Sequence, residues 1–189
     1  MRFVWVLAGM GTMVAAAAWP AGTDAGSAVA AVWKEQHLSF LYRGRTSRYS
    51  CDGLRDKVRA MLLDLGARRD LAVSASSCGE SAPQARLDSA SAILNIVFFA
   101  PALPGAAAKP PRPADLGPVE ASFEPFTLTS DAFRNMGDAD CELVEEFVHQ
   151  ILPTLVTRNL QQDISCVPMR ESGSRFLVRG EVLHIRPGR

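Results

Sequence analysis

The sequence predicts an α+β protein made of two similar strand–helix–strand–strand halves. We expect two helices packed on a mainly antiparallel sheet, with each half stapled by a disulfide. Three observations lead to this prediction. An apolar pattern of helical spacing occurs twice, two pairs of cysteines have similar separations, and a proline-rich stretch divides two blocks of strand-like sequence.

The two helical patterns match at an offset of 90 residues. This offset carries Cys51 onto Cys141 and Leu54 onto Val144. It also carries the remaining apolar positions of the first helix onto those of the second: Val58 onto Val148, Met61 onto Ile151, Leu62 onto Leu152 and Leu65 onto Leu155. Their spacing places these positions on one face of a helix. Two unrelated amphipathic helices can align in this way, but cysteines flank both helices at similar distances, so we predict an internal duplication.

The first half is predicted to contain three strands and one helix. Alternating polarity over His37–Tyr49 is typical of a half-buried strand. Ser50 is a suitable N-cap for the helix, and Gly66 stands where the helix should end in a left-handed residue. A short strand runs from Leu71 to Cys78. Ala92–Phe99 is apolar at successive positions, which predicts a central strand covered on both faces.

The second half repeats this order. Ala121–Thr129 is predicted to be a strand, and Asp138 or Asp140 is predicted to cap the second helix. Gln161–Cys166 then predicts a short strand and Arg175–Ile185 a long one.

The N-terminal residues have the pattern of a secretory signal peptide. Arg2 is followed by the apolar run Phe3–Trp19, and small residues allow cleavage after Ala18 or Ala25. An uncleaved membrane anchor is the alternative, although the run is near the lower length limit for crossing a bilayer. The predicted organisation is therefore a signal peptide (1–25), a tether or short helix (26–36), a first half (37–100), a linker rich in proline and alanine (101–118) and a second half (119–189).

All four cysteines lie in the part predicted to be exported. An even number of cysteines in an oxidising compartment favours disulfides, and four cysteines allow three pairings. The repeat favours Cys51–Cys78 and Cys141–Cys166. A structural zinc site usually needs closely spaced cysteine pairs, whereas no two cysteines here are closer than 25 residues. We therefore predict two disulfides and no metal.

The sequence contains none of the common catalytic motifs. It lacks a Gly-x-Ser-x-Gly elbow, a His-Glu-x-x-His pair and a phosphate-binding loop. The histidines, His37, His149 and His184, have no partner at a metal-ligand spacing. We expect a protein without a cofactor that is not an enzyme. The alternative is a hydrolase-like enzyme whose site lies between the halves and is assembled from scattered residues.

One segment is a candidate binding site. It contains two tyrosines and three arginines within eight residues: Tyr42, Arg43, Arg45, Arg48 and Tyr49. Arginines bind phosphate or sulfate bidentately and tyrosines stack on rings, so we expect an envelope protein or an anionic envelope polymer as partner. The formal net charge of zero argues against nucleic acid. The other interpretation is a solvated strand end whose arginines pair with acids of the second helix.

The C-terminal region is also rich in arginine, with Arg170, Arg175, Arg179, Arg186 and Arg189. If a pseudo-twofold axis relates the halves, the two arginine-rich regions are expected to lie together.

The segments Tyr49–Arg55 and Leu65–Arg68 resemble a family of exported proteobacterial proteins of unknown function. The resemblance covers residues 37–185 in organisation. It implies a periplasmic or secreted location but no activity, substrate or catalytic residue. We therefore expect a small binding or accessory protein of the cell envelope, without stable membrane insertion once the signal peptide is removed.

Overall fold

The structure is a computed structural model that describes residues 27–78, 90–105, 117–130, 136–170 and 172–186. The predicted signal peptide and most of the predicted linker lie outside these ranges. Within them the chain forms β1 (Val29–Gly44), α1 (Cys51–Asp64), β2 (Ala72–Cys78), β3 (Ala90–Ala102), β4 (Val119–Thr129), α2 (Cys141–Gln150), β5 (Thr157–Ser165) and β6 (Arg175–Ile185). Neither of these two helices has the length and apolar character needed to cross a membrane.

The six strands form one sheet in the order β2-β3-β1-β4-β6-β5, and each neighbouring pair is antiparallel. The first half supplies β2-β3-β1 and the second half supplies β4-β6-β5, so the halves meet where β1 pairs with β4. The predicted α+β fold with two similar strand–helix–strand–strand halves is confirmed. Both helices pack with β3 and β6 in one hydrophobic core.

The pairing of β1 with β4 is symmetric about its middle pair. Val29 lies opposite Ala121, Ala30 opposite Glu120, and Ala31 opposite Val119. Adding 90 to each residue number of β1 and subtracting 90 from each number of β4 gives the same three pairs again. The offset found between the helices therefore recurs in the register at the centre of the sheet, and this strand pair has a local pseudo-twofold axis beside Ala30 and Glu120.

Strand β1 begins earlier than the sequence indicates. Residues 26–36 were predicted to be a tether or short helix, but the strand starts at Val29 and runs unbroken to Gly44. Ala31 is fully buried in a small cluster with Ala121 and Leu183. This cluster explains the correction, because the first residues of β1 complete the junction between the halves.

Helix α1 begins and ends as predicted. The Ser50 hydroxyl accepts a hydrogen bond from the backbone N–H of Gly53 at 3.1 Å. Gly66 has a φ of 87°, and the N–H of Ala67 reaches back to the Leu62 carbonyl at 2.9 Å. These contacts satisfy backbone groups that would otherwise lack partners at both helix ends.

Helix α2 covers the edge of β1 that β4 leaves open. Beyond Ala31, β1 is paired only with β3 among the described strands. The side chain of Gln150 accepts from the N–H of Leu41 at 2.8 Å and donates to its carbonyl at 2.8 Å. An uncovered strand edge can pair with strands of other chains. Here the Gln150 side chain occupies backbone groups of β1 that a neighbouring strand would otherwise bind.

Strand β3 is central, but the helices cover only one of its faces. Leu94, Ile96 and Phe98 are buried in the core, whereas Ile93 on the other face is 36% exposed. The predicted coverage of both faces is therefore wrong. The apolar residues of the outer face are only partly shielded from solvent. At Phe99, for example, the guanidinium of Arg68 lies 4.0 Å from the centre of the ring.

Candidate functional site

The predicted disulfide between Cys141 and Cys166 is confirmed, with the two Cα atoms 5.5 Å apart. It ties the first residue of α2 to the segment that follows β5. Cys51 is also disulfide-bonded, and the side chain of Cys78, its predicted partner, lies outside the described residues. Among the residues that the structure describes, there is no free cysteine.

The two tyrosines of the predicted binding segment face inwards. Tyr42 is 1% exposed, and its hydroxyl donates to the Ser47 carbonyl at 2.8 Å. Tyr49 is half-buried and its ring meets that of Tyr42 edge-on, with 5.2 Å between the ring centres. The tyrosines thus hold the end of β1 in place, while Arg43, Arg45 and Arg48 are exposed.

A buried carboxylate joins the two halves beside these tyrosines. Asp140 is 5% exposed and accepts hydrogen bonds from the Tyr49 hydroxyl and from the backbone N–H of Gly137, the latter at 2.8 Å. The ammonium group of Lys57 lies 3.0 Å away. Asp140 occupies the N-cap position of α2, as one of the two predicted alternatives, but its side chain makes no capping hydrogen bond to this helix and binds Tyr49 and Lys57 of the first half instead.

Burial and these carboxylates change the titration of both tyrosines. Burial raises the pKa of Tyr42, and the charges of Glu142 and Asp140 raise it further. Burial also raises the pKa of Tyr49, and its hydrogen bond to Asp140 adds to the increase. The neutral phenols are therefore favoured in the folded state. Their contribution to stability is complete below the unfolded pKa of about 10 and is lost as the pH rises above it.

This shift can be measured directly, because the chain has only these two tyrosines. We expect the folded protein to show no tyrosinate absorbance at a pH of about 10, at which half of the tyrosines ionise in the urea-unfolded chain. At higher pH, tyrosinate absorbance and the loss of secondary structure by circular dichroism should appear together. Ionisation of either tyrosine near pH 10 in the folded protein would contradict the burial described here.

Glu142, in the first turn of α2, binds the backbone at the end of β1. Its carboxylate accepts hydrogen bonds from the N–H groups of Arg45 at 2.6 Å and Thr46 at 2.9 Å. The hydroxyl of Thr46 in turn accepts from the N–H of Met169 at 3.0 Å. Helix α2, the end of β1 and the loop after β5 are thereby fixed together.

These three segments enclose a cleft of about 320 Å³, lined by Arg43, Arg45, Glu142, Glu145, Glu146, Cys166 and Pro168. The side chains of Arg43, Arg45 and Glu145 make no hydrogen bond or ion pair with any residue that the structure describes. The helix therefore binds the backbone of the arginine segment and leaves two guanidinium groups unpaired. We refer to this feature as the α2 cleft.

In the part of the chain that the structure describes, the second arginine-rich region meets the first through the loop after β5. Met169, which contacts Thr46, precedes Arg170. Arg175 lies 3.8 Å from Asp163, and Arg179 donates to Gln161 at 2.8 Å, both along β6. Arg189 lies outside the described residues.

The histidines are not gathered into a site. His37 lies 3.2 Å from Glu35 in an exposed pair, and His184 lies 3.8 Å from Glu124. No three histidine, cysteine, aspartate or glutamate side chains come close enough to hold a metal ion within the ranges described. The chemistry that the α2 cleft offers is recognition of charge.

Neither a protein-family model, nor a curated protein, nor a solved structure matches the chain.

Proposed function

We propose that the protein is an exported binding or accessory protein of the bacterial cell envelope, that it is not an enzyme, and that the α2 cleft is its ligand site. The observation that carries this proposal is the pair of arginines, Arg43 and Arg45, whose guanidinium groups have no partner among the described residues. The disulfide bonds and the N-terminal pattern support export to an oxidising compartment.

The frame around the α2 cleft is rigid, which favours binding. Glu142 fixes the backbone beside the arginines, the Cys141–Cys166 disulfide fixes the opposite wall, and Thr46 connects the two. A preorganised site loses less conformational entropy when a ligand binds. The arginine side chains themselves are exposed and can reorient towards a ligand.

We infer that the two halves arose by duplication and that the α2 cleft, formed by the end of β1 in the first half and by α2 in the second, has no counterpart around α1 that keeps the same contacts in the described part of the chain. The shared offset of 90 residues in the helices and in the β1–β4 register supports a common origin. Asp52 of α1 is the equivalent of Glu142, yet it is exposed and pairs with Arg55 at 2.9 Å. Among the described residues, the carboxylate of Asp52 therefore pairs within α1 and not with the opposite half.

The alternative of a hydrolase-like enzyme stays a prediction. At the junction between the halves, the Asp140 carboxylate binds Tyr49, Lys57 and Gly137, which gives it a structural role. Nothing among the described residues at this junction favours the enzyme over the binding protein.

The proposal is tested with the full chain isolated from the envelope of a bacterial host. We expect loss of the N-terminal segment, a mass four hydrogens below that of the reduced chain, and native mass spectra with extra mass from a bound partner. Arg43→Gln combined with Arg45→Gln should remove the partner, whereas Arg69→Gln, an exposed arginine after α1, should not. An unprocessed chain with free thiols would overturn export, and a partner retained by the double variant would overturn the assignment of the site.

A further inference from the structure

The charges of the α2 cleft identify a class of ligand, and this inference rests on the proposed function. We infer that the ligand is a zwitterion about the size of a short peptide. Its carboxylate binds Arg43 and Arg45, and its ammonium group binds Glu145.

The anion-binding wall is formed by two arginines at the end of β1. Arg43 and Arg45 are exposed on either side of the buried Gly44 and both line the cleft. Guanidinium groups form paired hydrogen bonds with carboxylates in a planar geometry. Since neither group has a described partner, a ligand carboxylate can bind there without breaking a contact that the structure describes.

The cation-binding wall contains one carboxylate that has no partner among the described residues. Glu142 is occupied by the backbone N–H groups of Arg45 and Thr46. Glu146 accepts from the side chain of Gln150 at 2.6 Å, which in turn covers β1. Glu145 has no described partner. A ligand ammonium group can bind Glu145 without competing with a hydrogen bond that already holds the fold together.

The same charges disfavour the anionic polymer expected from the sequence. Three carboxylates and two guanidinium groups line the cleft, so its formal charge is −1. A polymer with repeated negative charges would approach all three carboxylates, and like charges brought together at an interface are unfavourable. A zwitterion meets a charge of opposite sign on each wall.

The size of the cleft sets an upper limit on the ligand. Its volume of about 320 Å³ is near the lower end of the range for small-molecule sites, which begins at about 300 Å³. The cleft is not an enclosed cavity, so a longer peptide could bind with its charged end while the rest extends into solvent.

The test uses four probes of one shape. Trialanine carries both charges, its N-acetyl form carries only the carboxylate, its C-terminal amide carries only the ammonium group, and the doubly blocked peptide is neutral. We expect trialanine to give saturable changes in the amide resonances of Arg45, Thr46 and Glu145. Each blocked form should bind about 10-fold more weakly or worse, because a charge-assisted hydrogen bond is worth at least about 1.4 kcal/mol.

Variants of the protein test which side chains bind the carboxylate of the ligand and which bind its ammonium group. Arg43→Gln with Arg45→Gln should weaken trialanine binding by about 10-fold or more and abolish the advantage of trialanine over its amide. Glu145→Gln should make the affinity for trialanine no higher than the affinity for its N-acetyl form. Arg69→Gln, at an exposed position after α1 that does not line the cleft, should change neither comparison. Circular dichroism and urea unfolding of each variant would confirm that it is folded.

Two results overturn the inference. One is the absence of saturable changes with trialanine up to about 10 mM, tenfold above a Kd of about 1 mM. The other is stronger binding of an anionic polymer, such as heparin, that depends on the same arginines. In either case an envelope partner lost from the Arg43→Gln and Arg45→Gln variant would leave the proposed function standing, so the two proposals fail separately.

Discussion

Replacing Asp140 by alanine is expected to lower the free energy of unfolding by about 3–5 kcal/mol, the range for breaking a buried charged pair from one side. The substitution removes the acceptor of the half-buried Tyr49 hydroxyl, the partner of the Lys57 ammonium group and the acceptor of the Gly137 N–H. Tyr49 and Lys57 belong to the first half, so the loss falls on the junction between the halves. Urea unfolding followed by circular dichroism measures it.

The matched control is Asp138→Ala. Asp138 lies two residues away in the same turn but is exposed, and an exposed substitution of this kind usually changes stability by less than about 0.5 kcal/mol. Tyr49→Phe should account for about 1–2 kcal/mol of the Asp140 effect, since it removes one buried hydrogen bond. Equal stabilities of the Asp140→Ala and Asp138→Ala proteins would show that the carboxylate does not hold the halves together.

The order of strands and helices could be predicted because the sequence patterns that indicate it are local and occur twice. Helix α1 has a cap at Ser50, an apolar stripe and a glycine at Gly66, all within 17 residues of sequence. The repeat then allowed the same order of elements to be predicted for the second half. Without it, Pro153 after α2 and the prolines of the linker would make that order hard to recognise. It also selected the Cys141–Cys166 pairing, which composition alone leaves as one of three possibilities.

The contacts that build the site were not open to prediction, because they join residues far apart in sequence. Glu142 and Asp140 stand at a helix start, where acidic residues are favourable without any distant partner. Glu142 nevertheless binds residues more than 90 positions away, as does Asp140. The arginine segment was identified, but only the fold shows that its tyrosines are sheltered and that carboxylates lie beside its arginines.

The start of β1 shows tertiary structure overriding local preference. Residues 28–31 are alanine and valine, and alanine is depleted in strands, so the sequence indicated a tether or helix. At the pseudo-twofold axis, however, small side chains allow Ala31 and Ala121 to be buried in the same cluster. The packing of the two halves, which no local window contains, makes these residues extended.

Removing the Cys141–Cys166 disulfide by alanine substitution at both positions is expected to lower the free energy of unfolding by about 3–4 kcal/mol. The bond closes a loop with a sequence separation of 25 residues, and its loss increases the entropy of the unfolded chain by that amount. The unfolded chain should also become more expanded, so the dependence of the free energy on urea concentration should become steeper. Urea unfolding in the absence of reductant, which leaves the Cys51 disulfide intact, measures both quantities.

Cys166→Ala alone is the control that separates the crosslink from packing. It removes the same bond but keeps the sulfur of Cys141, which is 2% exposed and lies against the core. This variant should lose nearly as much stability as the double variant, and the difference between them measures the packing of the Cys141 sulfur. A single variant as stable as the unmodified protein would show that the crosslink itself contributes little. Loss of the crosslink also releases one wall of the α2 cleft, so the single variant should bind trialanine more weakly while the fold persists.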